Sequence, residues 1–251
     1  MSLQVASFRF YAELKDFLPP AKQQTPFVAH FQGMPAIKEA IEAAGVPHTE
    51  VDLILVNGVS VAFDYRLRDG DRVAVYPVFE SFDITPLLRL RPQPLREPTF
   101  ILDVHLGKLA TYLRMLGFDT LYRNEYQNPD IIAVAGRERR MILTHDRGLL
   151  KVRAVTNGYW VRATVPLQQV REVLQRFDLW GLLWPFHRCL RCKGLVKPVE
   201  KQTILPPLIP QIARYYHEFY PCSVCRRLYW KGSHYRKMRE FIQTCTAQHE
   251  A

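Results

Sequence analysis

What the chain lacks narrows the field first. No apolar run reaches the ~18–20 residues that a membrane-spanning helix needs. The first residues show no basic stretch followed by an apolar one, so no secretory leader is expected and the expected compartment is the cytoplasm. Internal repeats and low-complexity tracts are missing too. Cysteine is scarce, 5 in 251 residues, and four of the five fall in two C-x-x-C pairs. That distribution favours a bound metal over disulfides, in a reducing compartment. What remains is an ordinary globular chain, 48% hydrophobic, long enough for one large domain or two or three small ones.

Acidic residues thin out along the chain. Residues 1–82 hold 7 Lys/Arg against 10 Asp/Glu, a balance of −3, whereas residues 83–251 hold 27 against 14, a balance of +13. A basic part of that size suits a polyanion, with nucleic acid the first candidate and solubility charge the plain alternative.

Residues 1–82 read as a small mixed domain. Leu3–Tyr11 and Phe27–Phe31 are strands. A helix follows, with Pro35 at its first position, Ile37, Ile41 and Ala44 on its apolar face and Gly45 as its stop. Val51–Val56 and Val59–Phe63 flank Asn57-Gly58, a dipeptide suited to a type I′ hairpin turn. Asp69-Gly70 then turns the chain into a strand over Arg72–Phe79. The order ββαβββ predicts a β-grasp. The run from Leu67 through Asp69-Gly70-Asp71 to Val75-Tyr76-Pro77 resembles the ubiquitin-like sulfur carriers of molybdopterin and thiamin synthesis. The chain departs from them by running on through Val78-Phe79-Glu80 without the Gly-Gly end that those carriers use. Recognition or scaffolding therefore fits better than sulfur transfer.

Residues 83–98 hold Pro86, Pro92, Pro94 and Pro98 among arginines, which no helix or central strand tolerates, so they read as a linker. From 99 to 180 short apolar runs alternate with helical patterns, the mark of a parallel α/β sheet. Strands are expected at Phe100–Leu102, Asp119–Tyr122, Met141–Thr144 and Tyr159–Ala163. Helices are expected around the stripe Leu106, Leu109, Leu113 and Leu116, after an Asn128 N-cap, and over Val165–Leu179. Lys108, Tyr112 and Met115 fall off the Leu stripe.

Asp103, Asp130 and Asp146 each follow a strand or open a helix, so each is explained singly as a helix cap worth up to about 1–2 kcal/mol. Ligands of parallel sheets bind beyond the carboxyl ends of the strands. Three carboxylates gathered there would repel one another unless a cation joined them, and magnesium or manganese suits such oxygen donors. An acidic crevice within a basic domain fits metal-assisted phosphodiester hydrolysis. Lys108, Arg114 and Arg147 are candidate phosphate contacts, and Thr144 a candidate for orienting a ligand or water. Asp119 is a further candidate acid, although its place at a strand start favours a structural role.

Cys189, Cys192, Cys222 and Cys225 offer four thiolates, enough to close a structural zinc site. The 29 residues between the two pairs lengthen the loop, at small entropic cost. Residues 181–251 thus read as a zinc ribbon followed by a basic helix. Arg191, Arg226, Arg227 and Trp230 lie where cations and an aromatic ring grip unpaired nucleic acid; the ring as ribbon mini-core is the equal alternative.

Asp103-Val104-His105-Leu106-Gly107-Lys108-Leu109-Ala110, Leu113-Arg114-Met115-Leu116-Gly117-Phe118-Asp119-Thr120, Asp130 and Leu143-Thr144-His145-Asp146-Arg147-Gly148 resemble the Mut-seven C-terminal RNase family, a branch of the PIN-like nucleases. The Tyr229-Trp230-Lys231-Gly232-Ser233-His234 segment fits the same family's ribbon. His145 departs from the arginine more usual there. The resemblance implies a β-grasp domain, a central PIN-like sheet and a zinc ribbon. It also implies a Mg- or Mn-dependent endoribonuclease acting on RNA that is single-stranded or tRNA- or rRNA-like, with no membrane partner. Asp103, Asp130 and Asp146 would form its acidic cluster, and Asp119 would stand as the fourth acid. The rival expectation is a non-catalytic RNA-binding adaptor with structural zinc.

Overall fold

The computed structural model describes residues 3–77, 98–201, 204 and 214–247. The linker expected at 83–98, and Val78-Phe79-Glu80, lie almost wholly outside them. The described residues form two compact units. One comprises those of Met1–Glu97 together with Asp146–Trp160, the other those of Pro98–His145 and Val161–Ala251.

The first unit is built on a mixed sheet that carries a helix on one face. Its strands are β1 (Gln4–Phe10), β2 (Phe27–Phe31), β3 (Leu53–Val56), β4 (Val59–Ser60) and β5 (Arg72–Tyr76), in the order β2-β1-β5-β3-β4. β1 runs parallel to β5 and antiparallel to β2, the β-grasp arrangement. Alternation in β1 buries Ala6, Phe8 and Phe10, and α1 (Ile37–Ala43) lays Ile37 and Ile41 onto that face. Asn57 and Gly58 have φ of 51° and 87°, as the I′ turn between β3 and β4 requires. The helix starts two residues later than Pro35 suggests. Ala36 stays extended in a bridge to Arg66, and the Ile37 N–H is taken by Tyr65 O at 2.8 Å. The segment Asp146–Trp160, with α4 (Arg147–Leu150) and β9 (Gly158–Trp160), clusters with this unit.

In the second unit, β6 (Thr99–Leu102) lies between β7 (Asp119–Leu121) and β8 (Met141–Thr144), all parallel, with Thr99 opposite Asp119 and Leu102 opposite Leu143. Phe100, Ile101, Leu102, Ile142 and Leu143 are wholly buried, as parallel strands covered on both faces must be. A 3-10 turn (Val104–Leu106) leads into α2 (Gly107–Met115), and the expected stripe of Leu106, Leu109, Leu113 and Leu116 is buried. Met115 is buried as well, contrary to its place off the stripe. Trp184 and Phe186 donate their N–H groups to Leu116 O and Met115 O and so cover this end of the helix. Gly117, at φ 106°, turns the chain there, and a Cβ on it would sit 2.5 Å from Trp184 O.

α3 (Asn128–Glu138) is capped by Gln127, not Asn128. Asp130 accepts the Gln127 N–H at 3.0 Å and closes a capping box, which moves the boundary one residue back. α5 (Pro166–Arg176) buries Val170, Val173 and Leu174. The ribbon follows as β10 (Val199–Glu200), β11 (Glu218–Pro221) and β12 (Leu228–Tyr229), antiparallel in that order. The last helix, α6 (Ser233–Thr246), returns to this unit by stacking Phe241 on Tyr112 with ring centres 4.1 Å apart. Among the described residues no helix is long and apolar enough to cross a membrane.

Candidate metal centre and acidic edge

The two C-x-x-C segments fold into matching knuckles. In the first, the Lys193 N–H bonds Cys189 O and the Cys189 N–H bonds Gly194 O; in the second, the Arg226 N–H bonds Cys222 O and the Cys222 N–H bonds Arg227 O. Lys193 and Arg226, each just past the second cysteine, both take left-handed φ, 64° and 59°. This repeated geometry aims four sulfurs at one point. Their Sγ atoms lie within 4.8 Å of one another, with Cys189–Cys225 at 3.6 Å and Cys192–Cys222 at 3.4 Å. A tetrahedral zinc with bonds of ~2.3 Å would set sulfurs ~3.8 Å apart, so the donor set fits a metal such as zinc.

Electrostatics of the thiols agree with that fit. Burial alone would raise Cys189, but the Tyr229 hydroxyl, 3.0 Å from its sulfur, and the N–H groups of Cys192 and Arg191 bring it down to about 6. Burial pushes Cys222 and Cys225 upward. Crowded thiols cannot all ionise unaided, and a divalent cation resolves the conflict. Tyr229, which the sequence signals only as an aromatic after a knuckle, is part of this centre.

The ribbon is bound to the sheet by a residue expected to touch phosphate. Arg114 is 4% exposed. Its guanidinium donates to Leu190 O, Arg191 O and Thr120 O at 2.9–3.0 Å. Burial lowers its pKa, with the thiolates of Cys189 and Cys192 pulling the other way. Arg114 is thus a clamp on the first knuckle and is corrected from a phosphate contact.

Asp119 is corrected likewise. It opens β7 opposite Thr99, whereas Asp103 follows the far end of β6. Four residues of strand, about 13 Å, separate the two levels. Asp119 bonds Arg140 at 2.7 Å and Lys193 at 2.8 Å, with Arg188 at 3.6 Å. Burial alone would raise its pKa, but these cations hold it below its ordinary value. Asp119→Asn should therefore lower stability by about 3 kcal/mol, the lower end for a buried pair, because Glu138 still holds Arg140. The sign for pH follows from the lowered pKa: the wild-type contribution is complete above the normal carboxylate range and is lost as pH falls through the depressed value. Thermal unfolding of wild type and variant from pH 7 down to pH 3 checks it; equal acid sensitivity would contradict the assignment.

At the carboxyl edge of the sheet stands Asp103, 4% exposed. Oδ1 accepts the His105 N–H at 2.8 Å; Oδ2 accepts the His145 N–H at 2.8 Å and the Thr144 hydroxyl. Thr144, expected to orient a ligand or water, orients this carboxylate. All three donors are neutral, and no side-chain cation pairs with Asp103 among the described residues. His145 Nδ1 faces Val161 O at 2.7 Å and its Nε2 faces the Gln169 amide at 3.3 Å, so the ring is engaged internally. Tyr122, beyond β7, brings its hydroxyl to within 3.0 Å of Val104 O. Burial and then the Asp103 charge raise the Tyr122 pKa. Gly107 makes room for it, since a Cβ there would meet the hydroxyl at 2.6 Å. Neither Tyr122 nor Gly107 stands out in the sequence, although a glycine opening a helix is a weak signal.

Asp130 sits at the N-terminus of α3, which follows β7 and so starts on the same edge as Asp103. It is exposed, and one oxygen caps the helix. Asp146 is exposed and accepts the Gly148 N–H at 2.7 Å. Among the described residues the cysteines alone form a group of three or more His, Cys, Asp or Glu donors all within 4.8 Å. Lys108 is exposed on α2. Arg147 is exposed too, with its guanidinium 3.7 Å from the centre of the Trp160 ring. Arg191, Arg226 and Arg227 are exposed on the ribbon. Trp230 lines a cleft of ≈ 280 Å³ between ribbon and α6, together with Phe186, Tyr220, Tyr229, Tyr235 and Lys231.

A family model described as Mut7-C RNAse domain matches residues 98–242, and one described as Mut7-C ubiquitin matches residues 3–83. No curated protein and no solved structure matches the chain.

Proposed function

The chain belongs to the Mut7-C RNAse domain family, and from that premise we propose that it is a Mg- or Mn-dependent endoribonuclease of single-stranded RNA with a structural zinc ribbon. The observation that carries this reading is the state of Asp103: a buried carboxylate with three neutral donors and, among the described residues, no side-chain cation, at the sheet edge where α/β proteins bind ligands. Asp130 and Asp146 supply the further acids. One or two direct carboxylates suffice for a magnesium or manganese ion, with water filling the shell. Such an ion, when bound, polarises a phosphoryl oxygen and acidifies water.

The chain's own residues do the rest. Thr144 and the His145 N–H hold Asp103 in one rotamer, which fixes where its charge sits. Lys108 and Arg147 draw the phosphate backbone toward the edge. On the ribbon, Arg191, Arg226 and Arg227 attract the strand, and the aromatic cleft at Trp230 has room for one unpaired base. Within a net charge of +10, this acidic edge is where a polyanion needs a metal to approach.

A second reading has its own support. Asp103, Asp130 and Asp146 each accept a backbone N–H at a helix start, as pure caps do. A zinc-stabilised RNA-binding adaptor would need nothing more. Incubating the protein with labelled single-stranded RNA and DNA, in manganese or in chelator, separates the two. Manganese-dependent RNA cleavage by wild type, lost in Asp146→Asn while binding persists, is the expected result. Binding without cleavage by wild type would establish the adaptor.

A further inference from the structure

The β-grasp unit is acidic, with a balance of −3 over residues 1–82, which suits it poorly to gripping RNA. Its buried polar residues serve a different purpose. His48, 7% exposed, has Nε2 2.8 Å from Val155 O and Nδ1 2.6 Å from Glu42. Burial, with Lys38 nearby, pushes the His48 imidazole below its ordinary value, and Val155 O and Glu42 oppose that shift. Glu50 is fully buried and accepts the Trp160 N–H at 2.5 Å. The Trp160 ring joins the β-grasp core with its centre 5.0 Å from that of Phe17, and Arg147 covers it from outside. Val155 is 2% exposed. Two buried polar groups and an aromatic anchor of the N-terminal unit are thus committed to one segment, Asp146–Trp160. That segment begins with a proposed metal-binding carboxylate. Arg147, its neighbour, lies over both Trp160 and Phe17.

We propose that the β-grasp unit is a positioning element of the nuclease: through His48, Glu50 and Phe17 it holds the segment Asp146–Trp160, and thereby fixes the backbone that carries Asp146 and Arg147. The proposal rests on the nuclease reading of Asp146. Trp160, His48 and Glu50 are positioning residues that touch no substrate. The physical basis is order. A segment with only a four-residue helix and a three-residue strand has little stability of its own, and a carboxylate displaced by ~1 Å loses on the order of 10²-fold in rate.

The test uses the full chain, with kcat, KM for single-stranded RNA and the manganese concentration for half-maximal rate as readouts. Hydrogen exchange of the 146–160 amides is followed in parallel. Trp160→Ala should speed exchange across 147–160 while Phe100–Leu102 and Met141–Leu143 stay protected. It should lower kcat about 10²-fold, raise the manganese requirement and, because Arg147 loses the ring it lies on, raise KM for RNA by a smaller factor. Trp160→Phe, which keeps a ring between Phe17 and Arg147, should restore most of kcat. His48→Leu, which removes the bond to Val155 O, is the second variant and should repeat the kcat loss if Trp160→Ala also disturbs the sheet. Faster exchange with unchanged kcat and manganese requirement overturns the proposal, as does unchanged exchange in both variants. Full activity of Asp146→Asn would instead show that the nuclease reading of that residue has failed.

Discussion

Asp103→Asn should reduce manganese-dependent RNA cleavage by about 10³-fold and also lower the melting temperature, and the two effects have separate causes. Removing the charge removes an anionic ligand; metal-linked charge stabilisation is worth several kcal/mol, and each 1.36 kcal/mol is a factor of ten in rate. The stability loss arises because both oxygens of Asp103 already accept bonds, from His105 N–H on one side and from His145 N–H and Thr144 on the other. An asparagine must turn its NH₂ toward one of these donors. A donor left facing a donor in a buried site costs about 1–3 kcal/mol. Set against the ~5–15 kcal/mol of a typical domain, that cost leaves the protein folded, so the activity loss would not be a folding artefact.

Asp130→Asn is the matched control. It is exposed, and an asparagine oxygen still accepts the Gln127 N–H, so the capping box survives while the charge does not. Cleavage should fall without a change in melting temperature. An adaptor would give the reverse pattern: Asp103→Asn would lower the melting temperature, and Asp130→Asn would change nothing measurable. Assaying both variants for cleavage and thermal unfolding in the same buffer decides between the two outcomes.

Stripping zinc should be the larger structural perturbation. Among the described residues the buried cluster at the knuckles is small, Cys189, Val196 and Cys222, with Cys192, Tyr220 and Tyr229 packed on it. Structural zinc contributes on the order of 10–16 kcal/mol of apparent binding free energy in small modules, far more than so small a core can supply. Chelation, or Cys192→Ser, should therefore unfold the ribbon. The effect should spread, because Arg114 donates to Leu190 O and Arg191 O and Lys193 pairs with Asp119. Losing the carbonyls leaves a buried guanidinium short of acceptors. A cost of a few kcal/mol corresponds to roughly 10 °C in the melting temperature of a unit this size.

Reloading with zinc should release protons, because burial raises the thiols of Cys222 and Cys225, which must ionise to bind. Affinity should accordingly weaken as pH falls, since protons compete for the thiolates. Metal analysis with hydrogen exchange of the ribbon amides, before and after chelation, provides the check. A metal-free ribbon that stays protected would contradict the assignment.

Much of the architecture was legible along the chain because it depends on near neighbours. Asn57-Gly58 dictates its turn whatever surrounds it, Gly117 ends its helix by adopting a φ that other residues avoid, and the unbroken apolar runs at 100–102 and 141–143 declare buried parallel strands. Two C-x-x-C pairs likewise announced a metal centre, because each knuckle is made within six residues. The helix starts at Ile37 and Asn128 slipped by a residue or two, since a bridge to Arg66 and a capping box set them.

The roles of the charged residues were decided only in three dimensions. Asp103 and Asp119 both read in sequence as candidate acids beside short strands. One lies among neutral donors at the carboxyl edge, the other among three cations at the opposite edge. Arg114 reads in sequence as any helix-surface cation, but the first cysteine knuckle brings two carbonyls to it from 76 and 77 residues away. The segment Asp146–Trp160 continues the α/β alternation, as its sequence suggests, but nothing in the sequence tells that it is gripped by His48 and Glu50, 107 and 110 residues distant from their partners. Turns, strands and knuckles follow from torsional preference and local pattern. What a charge does depends on which partners are brought within about 3 Å of it, and only the folded chain decides that.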